Sequence, residues 1–128
     1  MLENGEKVRL IGVDTPEMSD DSRNRDTARR NKLDQKKVSG FAKKAKAYLE
    51  SLVEGRALRL EYDWQRTDKY GRTLAYVYRQ EDGLFVNAEI IRQGYGLPIV
   101  YFPFRYKEDF QKLRDQARSE GRGLWQNG

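Results

Sequence analysis

Residues 65–78 of this 128-residue chain read QRTDKYGRTLAYVY, and this stretch decides how the central strands pair. Lys69, Tyr70 and Gly71 form a turn signal, because glycine tolerates the positive φ that tight turns require. On both sides of the turn, at 58–64 and at 72–78, apolar and polar residues alternate with the period of two that is typical of a strand. The stretch therefore predicts a β-hairpin.

The spacing of apolar residues elsewhere predicts three helices and one further strand. The helices cover about Val38–Leu52, Val86–Gln93 and Tyr106–Glu120, and each is followed by a glycine that acts as a stop signal. Val8–Val13, which is short and rich in branched residues, predicts a strand. Since the strands are joined mostly by local connections, we expect an α+β fold, a small OB-type β-barrel with about three packed helices.

Size and composition limit the classes of function. The length fits a single domain, residues 1–128, and the chain carries 25 Lys and Arg against 20 Asp and Glu, which favours a polyanion such as nucleic acid as partner. There is no cysteine and no histidine, so a metal would be bound mainly by oxygen ligands, which favours calcium or magnesium. No stretch approaches the length of a membrane span, so no membrane partner is expected, and the localisation is left open.

The most strongly biased segment is residues 18–37. It contains seven Lys and Arg residues against four Asp residues, and it has few large apolar side chains. Such a composition cannot bury a face and predicts a surface loop. A loop that grips phosphate and a loop that is merely solvated are both compatible with this pattern.

A group of charged residues occurs where the first predicted strand ends, in the sequence RLIGVDTPE of residues 9–17. Pro16 stiffens the backbone there and biases its predecessor towards an extended conformation. Asp14 and the backbone carbonyl of Thr15 could both reach a calcium ion, and Glu17 could hold an attacking water and take its proton. A strand end with solvated charges is the alternative.

Arg72 begins the second strand of the hairpin, on the same side as Leu74 and Tyr76 by alternation. Phosphoryl transfer develops negative charge on the non-bridging oxygens, and a guanidinium offers paired donors to such a group. Arg9 and Arg72 would then clamp a phosphate from two sides. An ordinary ion pair with a nearby carboxylate is the alternative for Arg72.

Taken together, these motifs resemble the staphylococcal nuclease (thermonuclease) family over nearly the whole chain. The matching motifs are VDTPE with an arginine five residues before the aspartate, then RTDKYGR-x-LAY-x-Y, then VN-x-x-x-IRQG. The resemblance implies that Arg9 and Arg72 stabilise the phosphate and that Glu17 is the general base. It also implies that Asp14, and Thr15 through its carbonyl, bind calcium.

The same resemblance implies how substrate is held and what happens to it. Lys69 and Tyr70 fall where family members contact a terminal phosphate of the bound nucleotide, and Tyr101 is a further candidate for substrate binding. The implied reaction is calcium-dependent hydrolysis of DNA or RNA, with water attacking in line and the P–O5′ bond breaking. Single-stranded nucleic acid is the expected partner.

One departure from the family pattern affects these expectations. The family carries an Asp-Gly-Asp-Thr segment ahead of the arginine strand, whereas only Glu3 and Glu6 precede Arg9 as carboxylates. We therefore expect a truncated form of a longer protein or a metal site with one carboxylate fewer. With the first strand or strands missing, Val8–Val13 would be an exposed edge through which copies of the chain self-associate.

Two other functions remain open at this point. The first is a catalytically impaired module of the same fold that binds nucleic acid or serves as a scaffold. The second is a protein-interaction domain that uses exposed aromatic residues, namely Tyr95, Tyr101, Phe102 and Phe104.

Overall fold

The structure, a computed structural model, describes residues 8–15, 29, 33 and 35–126. In chain order the elements are β1 (Val8–Leu10), β2 (Val13–Asp14), α1 (Gln35–Gly40), α2 (Ala42–Val53), β3 (Leu58–Glu61), β4 (Thr73–Arg79), α3 (Val86–Arg92), β5 (Leu97–Pro98), α4 (Lys107–Glu120) and a 3₁₀ helix (Gly123–Trp125). These elements confirm the predicted α+β class.

The described strands form two small sheets. In the first, β4 lies between β1 and β3, with β1 parallel and β3 antiparallel to it. In the second, β2 pairs antiparallel with β5. The parallel pairing of β1 with β4 corrects the expectation that neighbouring strands are mostly joined locally, because the connection between these two contains α1, α2 and β3.

The predicted first strand is divided in two, which is a correction to the expected Val8–Val13 element. The chain turns at Ile11 and Gly12, and Gly12 has a φ of 76°. A Cβ at this position would lie 2.4 Å from the ring of Phe104, so both the backbone conformation and the close packing require glycine. The turn moves the chain from the first sheet to the second.

The predicted hairpin is confirmed, with Gly71 at a φ of 79° in its turn. Its first arm, however, leaves the ladder after Glu61 and rejoins it at Thr67, which bridges Thr73. Five residues (62–66) lie between these paired positions on the first arm and only two (74–75) on the second. We call residues 62–66 the hairpin bulge, and such insertions re-aim side chains out of a strand.

The helices follow the sequence prediction except for the first, which is split at Phe41 into α1 and α2. Four α-helices are therefore present among the described residues, where about three were expected. The first helix also begins at Gln35, so the end of the segment 18–37 that was predicted as a loop is helical. Helix α4 has acidic Glu108 and Asp109 in its first turn and Arg118 in its last, which complements the helix dipole, and Gly121 ends it in the left-handed conformation. None of the described helices has the length and apolar character needed to cross a membrane.

The core lies around β4 and α3. Ala75, Tyr76 and Val77 are all buried, so consecutive residues of β4 pack on both of its faces. Ile90 and Ile91 on α3 are fully buried against the same cluster. This rigid centre positions the residues at the ends of β1, β2 and β4.

Candidate active site

The two arginines expected to clamp a phosphate lie at neighbouring positions of the first sheet, Arg9 on β1 and Arg72 directly before β4. Residue Arg9 of β1 is in register with Leu74 of β4, and Arg72 lies two residues before Leu74. Aligned residues of neighbouring strands share a face, as do residues two apart along a strand. If Arg72 continues the line of β4, it shares the face of Arg9, and a strand spacing of about 4.8 Å with a rise of about 3.3 Å per residue puts the two backbones about 8 Å apart.

Asp68 fixes the position of Arg72. One carboxylate oxygen accepts the backbone N–H groups of Tyr70 and Arg72, each at 2.9 Å, and the other accepts Nε–H of Arg72 at 2.6 Å. Burial opposes ionisation of Asp68, but these hydrogen bonds outweigh it and hold the pKa of the carboxyl below its usual value. The ion-pair alternative therefore describes Nε of Arg72, the atom that contacts Asp68.

The turn between Asp68 and Arg72 presents an aromatic ring between two cations. The ring of Tyr70 lies 5.2 Å from Nζ of Lys69 and 5.5 Å from the guanidinium carbon of Arg72. Because the side chain of Tyr70 is 72% exposed, this group faces solvent. A ring flanked by positive charge suits a phosphate-linked base or sugar.

The candidate calcium ligands lie past the Gly12 turn. Asp14 is opposite Leu97 on β5 and is only 6% exposed, and Thr15 directly follows β2. Gly96 allows this close approach, since a Cβ there would lie 3.0 Å from Val13 and 3.4 Å from Thr15. The arrangement holds a largely buried carboxylate next to a backbone carbonyl at the end of a strand.

Asn87, which sequence reasoning missed as a site-building residue, connects the turn to β4. Its side-chain oxygen accepts the N–H of Val77 at 2.8 Å, and its amide nitrogen donates to the carbonyls of Ile11 at 3.0 Å and Ala75 at 3.2 Å. The side chain is fully buried, and Ile11 also donates its own N–H to Ala75. The only signal in the sequence was a polar residue on the buried face of a short helix, in the VN-x-x-x-IRQG motif.

Of the remaining candidate residues, the structure describes Tyr101 but not Glu17. Tyr101 follows β5 and is 59% exposed, with its ring 5.7 Å from that of Phe102, whereas Phe104 is buried in the core. Glu17 and most of the 18–37 segment lie outside the described residues. Across the part of the chain that the structure describes, no three acidic, histidine or cysteine side chains gather as a metal-binding group.

Comparison with known proteins gives a family match that covers most of the chain. Residues 7–127 match the family model described as staphylococcal nuclease homologue. The chain is 31% identical to a thermonuclease of Staphylococcus hyicus over 123 residues, which are 95% of this chain and 64% of that protein. It is 34% identical to the SPbeta prophage-derived endonuclease YokF of Bacillus subtilis over 125 residues, which are 95% of this chain and 37% of that protein. The chain thus spans less than two thirds of the length of either relative.

Proposed function

Because the chain belongs to the staphylococcal nuclease homologue family, with its OB-type fold, we propose that it is a calcium-dependent phosphodiesterase that hydrolyses DNA or RNA. Relatives named as a thermonuclease and an endonuclease support hydrolysis of nucleic acid. The proposal treats residues 1–128 as one domain, with single-stranded nucleic acid as its preferred partner.

The observation that carries the proposal is the register of β1 with β4. Arg9 pairs with Leu74, two residues after Arg72, and this neighbourhood supports the proposal that two guanidinium groups approach one phosphate. Charge that develops on the phosphate oxygens would be stabilised by donors held in place before the reaction, which is the most effective form of electrostatic catalysis. Asp68 provides that preorganisation for Arg72.

Glu17 is assigned the role of general base on its place in the VDTPE motif. Its carboxylate would take a proton from the attacking water as the new P–O bond forms and the P–O5′ bond breaks. The leaving oxygen would then be protonated by solvent. A carboxylate is the natural choice for this role in a chain that has no histidine.

The donor chemistry around Asp14 fits a hard cation. A carboxylate that is 6% exposed and the adjoining Thr15 carbonyl are both oxygen ligands, and the chain lacks the cysteine and histidine that softer metals prefer. Asp14 and Thr15 would hold the calcium ion. When bound, calcium supplies positive charge beside the phosphate.

Lys69, Tyr70 and Tyr101 are assigned to substrate binding. All three side chains are exposed, and the first two lie in the turn just before the arginine that Asp68 holds. The second candidate function, a module that binds nucleic acid without cleaving it, is supported by the same cationic turn, because phosphate contacts alone require no general base. Self-association through β1 remains a prediction, and within the described strands β1 pairs with β4.

Cleavage of denatured DNA, measured with calcium and then with a chelator, tests the proposal. We expect Glu17→Gln and Arg72→Ala to lower turnover about a hundred- to a thousandfold, and Asp14→Ala to raise the calcium concentration required. Arg56→Ala is the matched control, because Arg56 is also ion-paired, to Glu81, but precedes β3, whose first residue pairs with the last residue of β4. No cleavage by the parent at saturating calcium, together with intact binding, would leave the binding module as the function.

A further inference from the structure

Three large hydrophobic side chains are exposed in the described part of the chain, and they are Trp64, Tyr70 and Tyr101. The roles proposed above involve the two tyrosines but leave Trp64 without one. Its side chain is 65% exposed and lies at the centre of the hairpin bulge. A tryptophan left in water forgoes the burial of one of the largest apolar surfaces among the amino acids, which marks its position as a candidate contact surface.

Although it is exposed, the indole is held in place by hydrogen bonds. Its Nε1–H donates to the carbonyl of Pro103 at 2.9 Å, and its backbone N–H donates to a carboxylate oxygen of Asp63 at 2.8 Å. The other oxygen of Asp63 accepts the backbone N–H of Arg105 at 2.9 Å and the hydroxyl of the fully buried Tyr76. The bulge and the 103–105 segment are thereby fixed to each other and to the core, so the indole is preorganised.

Two arginines lie on the segments that hold this ring, Arg66 in the bulge and Arg105 beside Pro103. The guanidinium of Arg66 stacks 4.0 Å from the centre of the Tyr62 ring, at the two ends of the bulge, and Arg105 is exposed on the adjoining segment. The nearest carboxylate in the sequence, Asp63, is occupied by the hydrogen bonds described above. An exposed aromatic ring on segments that also carry exposed arginines is complementary to a base joined to phosphates.

The position of Trp64 connects it to the proposed substrate-binding residues. Trp64 and Tyr70 are six positions apart along the hairpin, a span of at most about 21 Å. Pro103, which accepts the indole N–H, lies two residues from Tyr101, at most about 7 Å away along the chain. The three exposed aromatic residues therefore come from two adjoining segments.

We propose that Trp64 is a base-stacking subsite for single-stranded nucleic acid, a few nucleotides from the phosphate that Arg9 and Arg72 hold, with Arg66 binding the adjoining backbone phosphate. This inference rests on the substrate class of the proposed function. Stacking on a fixed ring is tolerant of sequence, because every base has an aromatic face. The subsite would thus extend the grip on the strand without selecting particular bases.

The test measures binding of oligothymidylate in chelator, where no cleavage is required. Stacking of one base contributes about 1–3 kcal/mol, so Trp64→Ala should weaken binding of a probe of about eight nucleotides by about 5- to 150-fold. Trp64→Phe should retain part of the affinity, and the loss should shrink for a probe of about two nucleotides. Binding should also quench the exposed indole, which is distinguishable because the other tryptophan, Trp125, is only 8% exposed.

A matched pair of arginines controls for general charge. Arg59 lies 4.4 Å over the ring of Tyr78, much as Arg66 lies over Tyr62, but Arg59 is also ion-paired with Glu61. Arg66→Ala should therefore weaken binding more than Arg59→Ala. Thermal unfolding of each variant checks that the fold is retained.

The outcomes separate this inference from the proposed function. Equal affinity of Trp64→Ala and the parent for the long probe overturns the subsite, even if the parent cleaves DNA with calcium. A parent that binds no oligonucleotide overturns it as well. If Trp64→Ala changes the sedimentation of the protein but not its affinity for the probe, Trp64 belongs to a contact between copies of the chain. If the long probe binds through Trp64 but no DNA is cleaved, the subsite stands and the catalytic proposal fails.

Discussion

Replacing Asn87 with leucine should be one of the most damaging changes available in this chain. Leucine has a similar shape but removes all three hydrogen bonds of a side chain that is fully buried. The N–H of Val77 and the carbonyl of Ile11 would lose this partner, whereas the carbonyl of Ala75 still accepts the N–H of Ile11 at 3.0 Å. At about 1–3 kcal/mol for each buried group left without its partner, the loss is about 2–6 kcal/mol.

Urea denaturation followed by tryptophan fluorescence measures this loss as a change in the free energy of unfolding. Since domains of this kind are stable by only about 5–15 kcal/mol, the midpoint should shift strongly. Gln93→Leu is the control, because its half-buried amide donates a single hydrogen bond, to Glu89 at 3.1 Å, and its removal should cost about 0.5–1.5 kcal/mol. A loss for Asn87→Leu no larger than that for Gln93→Leu would refute the role assigned to this side chain.

Two further substitutions, at Gly12 and at Asp63, test residues that support the candidate site and its surroundings. Gly12→Ala should destabilise the fold by about 2–5 kcal/mol in urea unfolding, because alanine disfavours the positive φ and its Cβ would lie 2.4 Å from Phe104. Gly71→Ala is the control: it also has a positive φ but has open space around its Cβ, so it should cost only about 1–2 kcal/mol. Equal losses would contradict the packing argument. Burial opposes ionisation of Asp63, but its hydrogen bonds outweigh this and hold its folded-state pKa below the usual 3.8, so its contribution to stability is present above that pH and is lost as the pH falls through the lowered value. Asp63→Asn should therefore narrow the difference in the free energy of unfolding between about pH 6 and about pH 3, and an unchanged difference would show that this carboxylate contributes nothing to acid sensitivity.

Local patterns in the sequence were sufficient to predict the helices and turns that depend on interactions between neighbouring residues. The helix near the C-terminus and the glycine that ends it were predicted almost to the residue, as was the turn at Gly71. Pairing between distant strands was not predictable in this way. Nothing in Val8–Leu10 alone indicates that it runs parallel to β4, and β5, with two residues, is too short for a periodicity to be recognised.

The same distinction, between local patterns and contacts of distant residues, applies to the candidate site. Motifs indicated which residues carry charge, namely Arg9, Asp14 and Arg72, because their chemical types and order are visible in the sequence. The residues that hold them could not be recognised, since the hydrogen bond from Asn87 to Ile11 spans 76 residues along the chain and the close contact at Gly12 involves Phe104. Sequence reasoning also treated residues 58–64 as a single strand, so the bulge that exposes Trp64 was missed.

Two aspartates of the hairpin, Asp63 and Asp68, have the same structural role. Asp63 accepts the backbone N–H of Trp64, and Asp68 accepts that of Tyr70, so that each carboxylate fixes the backbone of an exposed aromatic residue. Burial opposes the ionisation of both carboxylates, but the hydrogen bonds they accept outweigh it and keep each pKa below its usual value. Both therefore stay ionised at any pH above 3.8, a range in which phosphodiesters are also charged. If these residues bind nucleic acid as proposed, ordering their backbone beforehand would remove part of the entropy cost of binding, which gives a physical reason for two acidic residues on such a surface.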